Sequence, residues 1–149
     1  MTNINRELLK GTAGADLAYG DIVKYHTDGT FIKQDSAEAT DSIGIVWAAG
    51  NDGDLVTVLV RGVIDDLHFL IEDTSGSSGY DSAITHGDLL LVSGKTAGTY
   101  GVGQAVSKID GTGVTTANAT TIVARALEAN AGSASGDTYG KIKAYVSFC

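Results

Sequence analysis

The stretch "GDIVKYHTDGTFIKQ", residues 20–34, reads as a short apolar run, a turn built on Asp28-Gly29, and a second run ending at Gln34. Asp-Gly between two β-favouring runs supplies the positive-φ pair that a tight hairpin needs. The stretch opens on Gly20-Asp21, and the same pair recurs at Gly53-Asp54, Gly87-Asp88 and Gly136-Asp137, each time ahead of an apolar or alternating run. Glycine takes turn conformations that a Cβ forbids, and aspartate accepts bonds from nearby backbone N–H groups. The pair is therefore read as punctuation before strands, not as a set of reactive acids.

Outward from that stretch, period two dominates. In "KIKAYVSF", residues 141–148, Ile142, Ala144, Val146 and Phe148 share one face while Lys141, Lys143, Tyr145 and Ser147 share the other, the pattern of a half-buried strand. "DLVTVLVRGVI", residues 54–64, is apolar on both faces and predicts a central strand. Residues 65–73 carry helical spacing over two turns, and residues 120–130 fit either a short helix or a strand leaving into a loop, so one or two short helices are expected. Residues 73–82, rich in Gly and Ser, read as a surface linker.

The linker divides a repeat. Each half runs from a Gly-Asp strand through a turn to a second strand, then an Ile-x-x-Val/Ala segment, a Gly-Asp turn and a final strand. The expected fold is mainly β: a β-barrel or β-sandwich-like body built from two pseudo-repeated halves, about 13–72 and 83–149, forming one domain over 13–149 behind an extended N-terminal arm at 1–12.

Composition narrows the function classes. With 149 residues, 43% hydrophobic and 19% charged, the chain is long enough for a real core. Pro is 0 and Gly is 20, so turns fall to Gly, Asn and Asp. A net charge of −8 with no basic cluster repels phosphate backbones and argues against direct nucleic-acid binding. The N-terminus lacks a signal-peptide pattern and no run approaches the roughly 18 apolar residues of a membrane helix, so synthesis in a cytoplasm and no membrane partner are expected. Cys149 is the one cysteine, so no intrachain disulfide is expected.

Reactive constellations are missing at convincing spacing. His26, His68 and His86 are isolated; "GNDGD", residues 50–54, lacks the closing Glu of a calcium loop; "GTYGVG", residues 98–103, lacks the Lys-Ser/Thr of a phosphate loop; "GSSGY", residues 76–80, is linker composition. No catalytic residue, metal or cofactor is assigned, and an enzyme is disfavoured. Trp47, after the apolar "IGIV", reads as a core or interface anchor.

The succession "AGADLAYGDIVKY" (13–25), "DSIGIVWAAGNDGDLVTVLVRGVI" (41–64), "ITHGDLLLV" (84–92) and "ANAGSASGDTYGKIKAYV" (129–146) resembles the capsid cement, or head decoration, proteins of tailed bacteriophages. The resemblance covers most of the chain from about Gly11 onward. It departs from the family at residues 68–81 and in the extended turn at 129–140. It implies a β-rich, lambda-type decoration protein on the outer surface of the expanded virion head, with the major capsid protein as partner and a homotrimer as the working unit. On that footing residues 2–10 are expected to form an arm ordered on the capsid, with Asn3, Ile4, Asn5, Arg6, Leu8, Leu9 and Lys10 as contacts. Ile45 and Trp47 are the expected oligomer contacts. A tail-tube or fibre component and a carbohydrate-binding β module are the rival readings.

Overall fold

A computed structural model describes residues 6–35, 41–71, 83–93, 103–108 and 122–148, and among these every regular element is a strand. They are β1 (Glu7–Thr12), β2 (Ile22–Tyr25), β3 (Phe31–Lys33), β4 (Ser42–Ala48), β5 (Leu55–Ile71), β6 (Leu89–Val92), β7 (Val106–Lys108), β8 (Ile122–Ala126) and β9 (Thr138–Ser147). The expected hairpin over residues 20–34 is β2 and β3, with Val23 opposite Lys33 and Tyr25 opposite Phe31. The predicted linker at 73–82 lies outside the described residues, as do residues 1–5.

The helix expected after residue 64 is strand instead, and of the two readings for 120–130 the strand is the one formed. Residues 65–71 continue β5, and 122–126 form β8. In β5 a register shift between Ile64 and Leu67 inserts a residue, so the inward-facing positions jump from Ile64 to Leu67 before alternation resumes at Phe69 and Ile71. A bulge of this kind places apolar residues three apart, which imitates helical spacing. The pairing of β6 with β8 carries a comparable shift between Leu90 and Leu91.

The 17-residue β5 organises the molecule. Arg61 pairs with both Glu7 of β1 and Ser147 of β9, so those strands lie on opposite edges of β5; Leu59 likewise pairs with Leu8 and Ile45, and Phe69 with Gly140 and Val106. One edge of β5 therefore carries β4 and then β9, and the other carries β1 and then β7. The change of partners falls beside Gly62, whose φ of 139° is a conformation L side chains resist.

Two rings of strands result. In the second half, β5, β7, β6, β8 and β9 pair in succession and β9 returns to β5, closing a five-stranded barrel. In the first half, β3, β2, β4, β5 and β1 pair in the same relative order, and a parallel bridge from Ala13 to Phe31 brings the end of β1 back to β3. The parallel pairing of Phe69 with Val106 is the counterpart of that bridge. Residues 7–12 are thus a wall of the first barrel, where the sequence suggested only an arm, and they correspond to the second half of β5. One strand serves both barrels.

Registers match residue by residue. Val23, Val46 and Val58 line the first core, and Leu90, Ala126 and Ala144 line the second at the same places in the pairing. The large ring changes sides: the bridge is Ala13 to Phe31 in the first barrel and Phe69 to Val106 in the second. Each bridge thus pairs one phenylalanine with a smaller residue, Ala13 in the first barrel and Val106 in the second.

Three Gly-Asp pairs form the same turn. Asp21, Asp54 and Asp88 donate their N–H to the carbonyls of Ala18, Asn51 and Thr85, while their Oδ2 atoms accept the N–H of those same three residues. Gly20, Gly53 and Gly87 supply the positive φ, at 88°, 88° and 93°. Each glycine also donates its N–H to a distant strand or loop, Val46 for Gly20, Ala13 for Gly53 and Ala126 for Gly87. The return bonds from Val46 N–H to Asp21 and from Ala126 N–H to Asp88 complete the likeness of the halves. Gly136 does not belong to the positive-φ set, so the fourth pair is a different turn.

Candidate functional site

The acids that a sequence search collects first are committed to the backbone. Asp88 accepts the Thr85 N–H at 2.7 Å and its hydroxyl at 2.9 Å, and Lys108 Nζ stands 3.0 Å away. Burial alone would raise the Asp88 carboxyl, but the Thr85 and Lys108 donors outweigh it and hold the group below its ordinary range. Asp21 pairs in the same way with Lys33, at 3.5 Å. A groove of about 550 Å³ runs past Asp16, Asp21, Asp54 and Lys33. Within it Asp16 accepts the Asp52 N–H, and Asp54 accepts that of Asn51. Among the described residues no group of three His, Cys, Asp or Glu side chains could hold a metal ion.

The junction of the barrels is the second focus. Ile22, Ile45 and Leu59 form one row across β2, β4 and β5 on the outside of the first barrel, and all three are fully buried in the core cluster that fills the second. Around that row the Tyr19 hydroxyl donates to Asp66 Oδ1 at 2.5 Å. The His68 ring lies against Gly20, where a Cβ would come within 3.3 Å. The Ile22 N–H donates to the Gly103 carbonyl at 2.7 Å. Burial first, then the Asp66 bond and the negative charges of Asp66 and Asp65, push the Tyr19 phenol well above its ordinary value against the opposing pull of Arg6. Burial lowers His68, and its bond with the Gln104 backbone only partly opposes this. At neutral pH the junction is therefore held by a neutral phenol and a neutral imidazole.

Trp47 caps this junction at the surface. It is half-buried, its ring centroid 6.0 Å from that of Tyr19, with the Arg6 guanidinium 4.7 Å above its own ring. Arg6 Nε also donates to the Val63 carbonyl at 3.4 Å.

Of the residues singled out from sequence, Asn3, Ile4 and Asn5 lie outside the described residues, as does Cys149. Leu8 and Lys10 point outward from β1, whereas Leu9 packs on the first core. Ile45 is a correction: with no exposed surface it is wholly engaged within its own chain and offers no side chain to another subunit. Comparison with family models and with curated proteins gives no match for this chain.

Sequence reasoning passed over Tyr19, Asp66, Leu89, Arg125 and Tyr145. Leu89, Arg125 and Tyr145 stand in one row across β6, β8 and β9, the place that Ile22, Ile45 and Leu59 hold in the first half. Here the row is exposed, Leu89 by 41% and Tyr145 by 38%. Aligning the halves strand by strand would have found it.

Proposed function

We propose that this chain is a cement protein of a tailed-phage capsid, bound as a trimer to the outer face of the expanded head, with the major capsid protein as its partner. The observation that carries the reading is the ordered succession of motifs resembling that family, now seated on two barrels that share one strand. The acids of the three Gly-Asp turns hold backbone, which leaves the surface for adhesion. Internal pressure from packaged DNA separates capsomers, and a clamp across their junctions resists this through many repeated contacts, each of modest strength. A stable contact buries around 1,600 Å², within reach of a chain this size when subunit and capsid faces are combined.

In this reading Asn3, Ile4 and Asn5 meet the capsid together with Arg6 and, on the outward side of β1, Leu8 and Lys10, while Leu9 holds the strand to the body. The test is co-sedimentation with expanded heads. Removing residues 2–5, which spares β1, is expected to abolish binding without moving the thermal transition, and Leu8→Asp with Lys10→Glu to weaken it. Undiminished binding by both variants overturns the arm. Failure of the intact protein to bind any expanded head overturns the cement reading itself.

A further inference from the structure

The molecule contains one barrel-to-barrel contact, and its internal repeat exposes the counterparts of both sides of that contact. On the receiving side, the row Ile22, Ile45 and Leu59 is covered, whereas its counterpart Leu89, Arg125 and Tyr145 is open. On the inserting side, the second barrel presents His68 of β5 and the turn at Gly103. Matching registers make Thr12 the counterpart of His68, since Thr12 faces Leu55 as His68 faces Lys141. The counterpart of Gly103, with φ 80° shortly before β7, is Gly29, with φ 84° shortly before β3. Gly103 is packed against Gln34, so that a Cβ there would meet its carbonyl, but a Cβ on Gly29 would meet nothing within 4 Å. Thr12, at the end of β1, is exposed as well.

We infer that the outer face of β6, β8 and β9, centred on Leu89, Arg125 and Tyr145, docks the Thr12 end of β1 and the Asp28-Gly29 turn of a second copy of this chain, head to tail. The contact would repeat between chains the packing that already joins the barrels within one. Where the buried row has Ile45, the open row has Arg125, and the turn it would receive carries Asp28 beside the glycine. Arginine and tyrosine in an apolar surround are the residues that most often dominate protein contacts. Asp28 is exposed and, through the Thr30 hydroxyl and N–H and then His26, has its carboxyl drawn down to about 2, so it is charged at any working pH. A contact between unlike faces leaves one face open at each end, so it must close into a ring or grow into a filament. Closure by three copies would give a ring of six barrels. The inference needs no capsid: it stands or falls in solution, whatever becomes of the cement reading.

The test is sedimentation of the purified full-length chain over a wide concentration range. Wild type is expected to self-associate, and Arg125→Asp, Leu89→Glu and Asp28→Arg each to weaken association at least about tenfold. All three positions are exposed, so unchanged circular dichroism and thermal transitions separate lost docking from lost folding. Arg125→Asp combined with Asp28→Arg is expected to regain association. Mixing Leu89→Glu with Asp28→Arg leaves one intact face on each chain and is expected to give a one-to-one pair and nothing larger. A wild type that stays monomeric, variants that associate like wild type, or a mixture that forms no pair would each overturn the inference.

Discussion

Asp88 shows what a Gly-Asp pair does. Its carboxylate bonds the N–H and hydroxyl of the residue three earlier and a lysine from the neighbouring hairpin strand, fixing the direction in which β6 leaves the turn. Asp88→Asn keeps the shape and loses the charge, and is expected to cost about 1.5–3 kcal/mol in urea unfolding, the range for hydrogen bonds to a charged group. Because the folded group is held below its unfolded value, the stability it contributes is present above about pH 4 and is lost as pH falls through the lower folded value. The variant should therefore show a flatter acid limb than wild type. Tyr19 works in the opposite direction. Its folded phenol is raised, so its contribution is intact below about pH 10 and fades as pH rises toward the folded value. Tyr19→Phe should cost about 1 kcal/mol at neutral pH and remove part of the alkaline loss, measured by unfolding from pH 7 to 11. The aspartates were legible in sequence because the turn is local, a donor and an acceptor three residues apart. The Tyr19 to Asp66 bond spans 47 positions and leaves no local trace.

At the scale of elements, β5 carries the fold, and two of its irregularities explain what the sequence revealed and hid. Alternation over residues 54–64, apolar on both faces, predicts a central strand, and both faces are occupied: Val56 and Val58 face the first core, Leu59 and Ile64 the second. Past Ile64 the inserted residue broke the period, and a continuing strand looked helical. Gly62 is the other irregularity, placed where β5 leaves β1 and takes up β9. Gly62→Ala should cost about 1–3 kcal/mol, the range for a side chain forced into a sparsely populated backbone region. It should also raise the amide exchange rates of residues 59–64 relative to the rest of β5. Unchanged stability would mean that the strand turns this corner by some other means. The N-terminal segment misled in another way. A short run such as "ELLKGT" carries no sign of whether its partner is its own chain or another, and here β5 is that partner.

Across the whole molecule, the first core is small and the second takes in residues from both halves. Neither barrel has a complete wall without β5, so the halves should unfold together. Val58→Ala in the first core and Ile142→Val in the second, each costing about 0.5–2 kcal/mol, are expected to shift a single transition. Trp47 fluorescence and far-ultraviolet circular dichroism should report the same midpoint in both variants. Two separated transitions would show that the barrels are independent. The duplication itself was visible in the order of motifs, but its consequence was not, because strand sharing is a property of pairing and not of composition. The shared wall also sets what a protease can achieve. A single cut between residues 72 and 82 breaks the backbone yet leaves β9 zipped along β5 from Arg61 to Ile71, so the nicked protein should still travel as one particle and come apart only in denaturant.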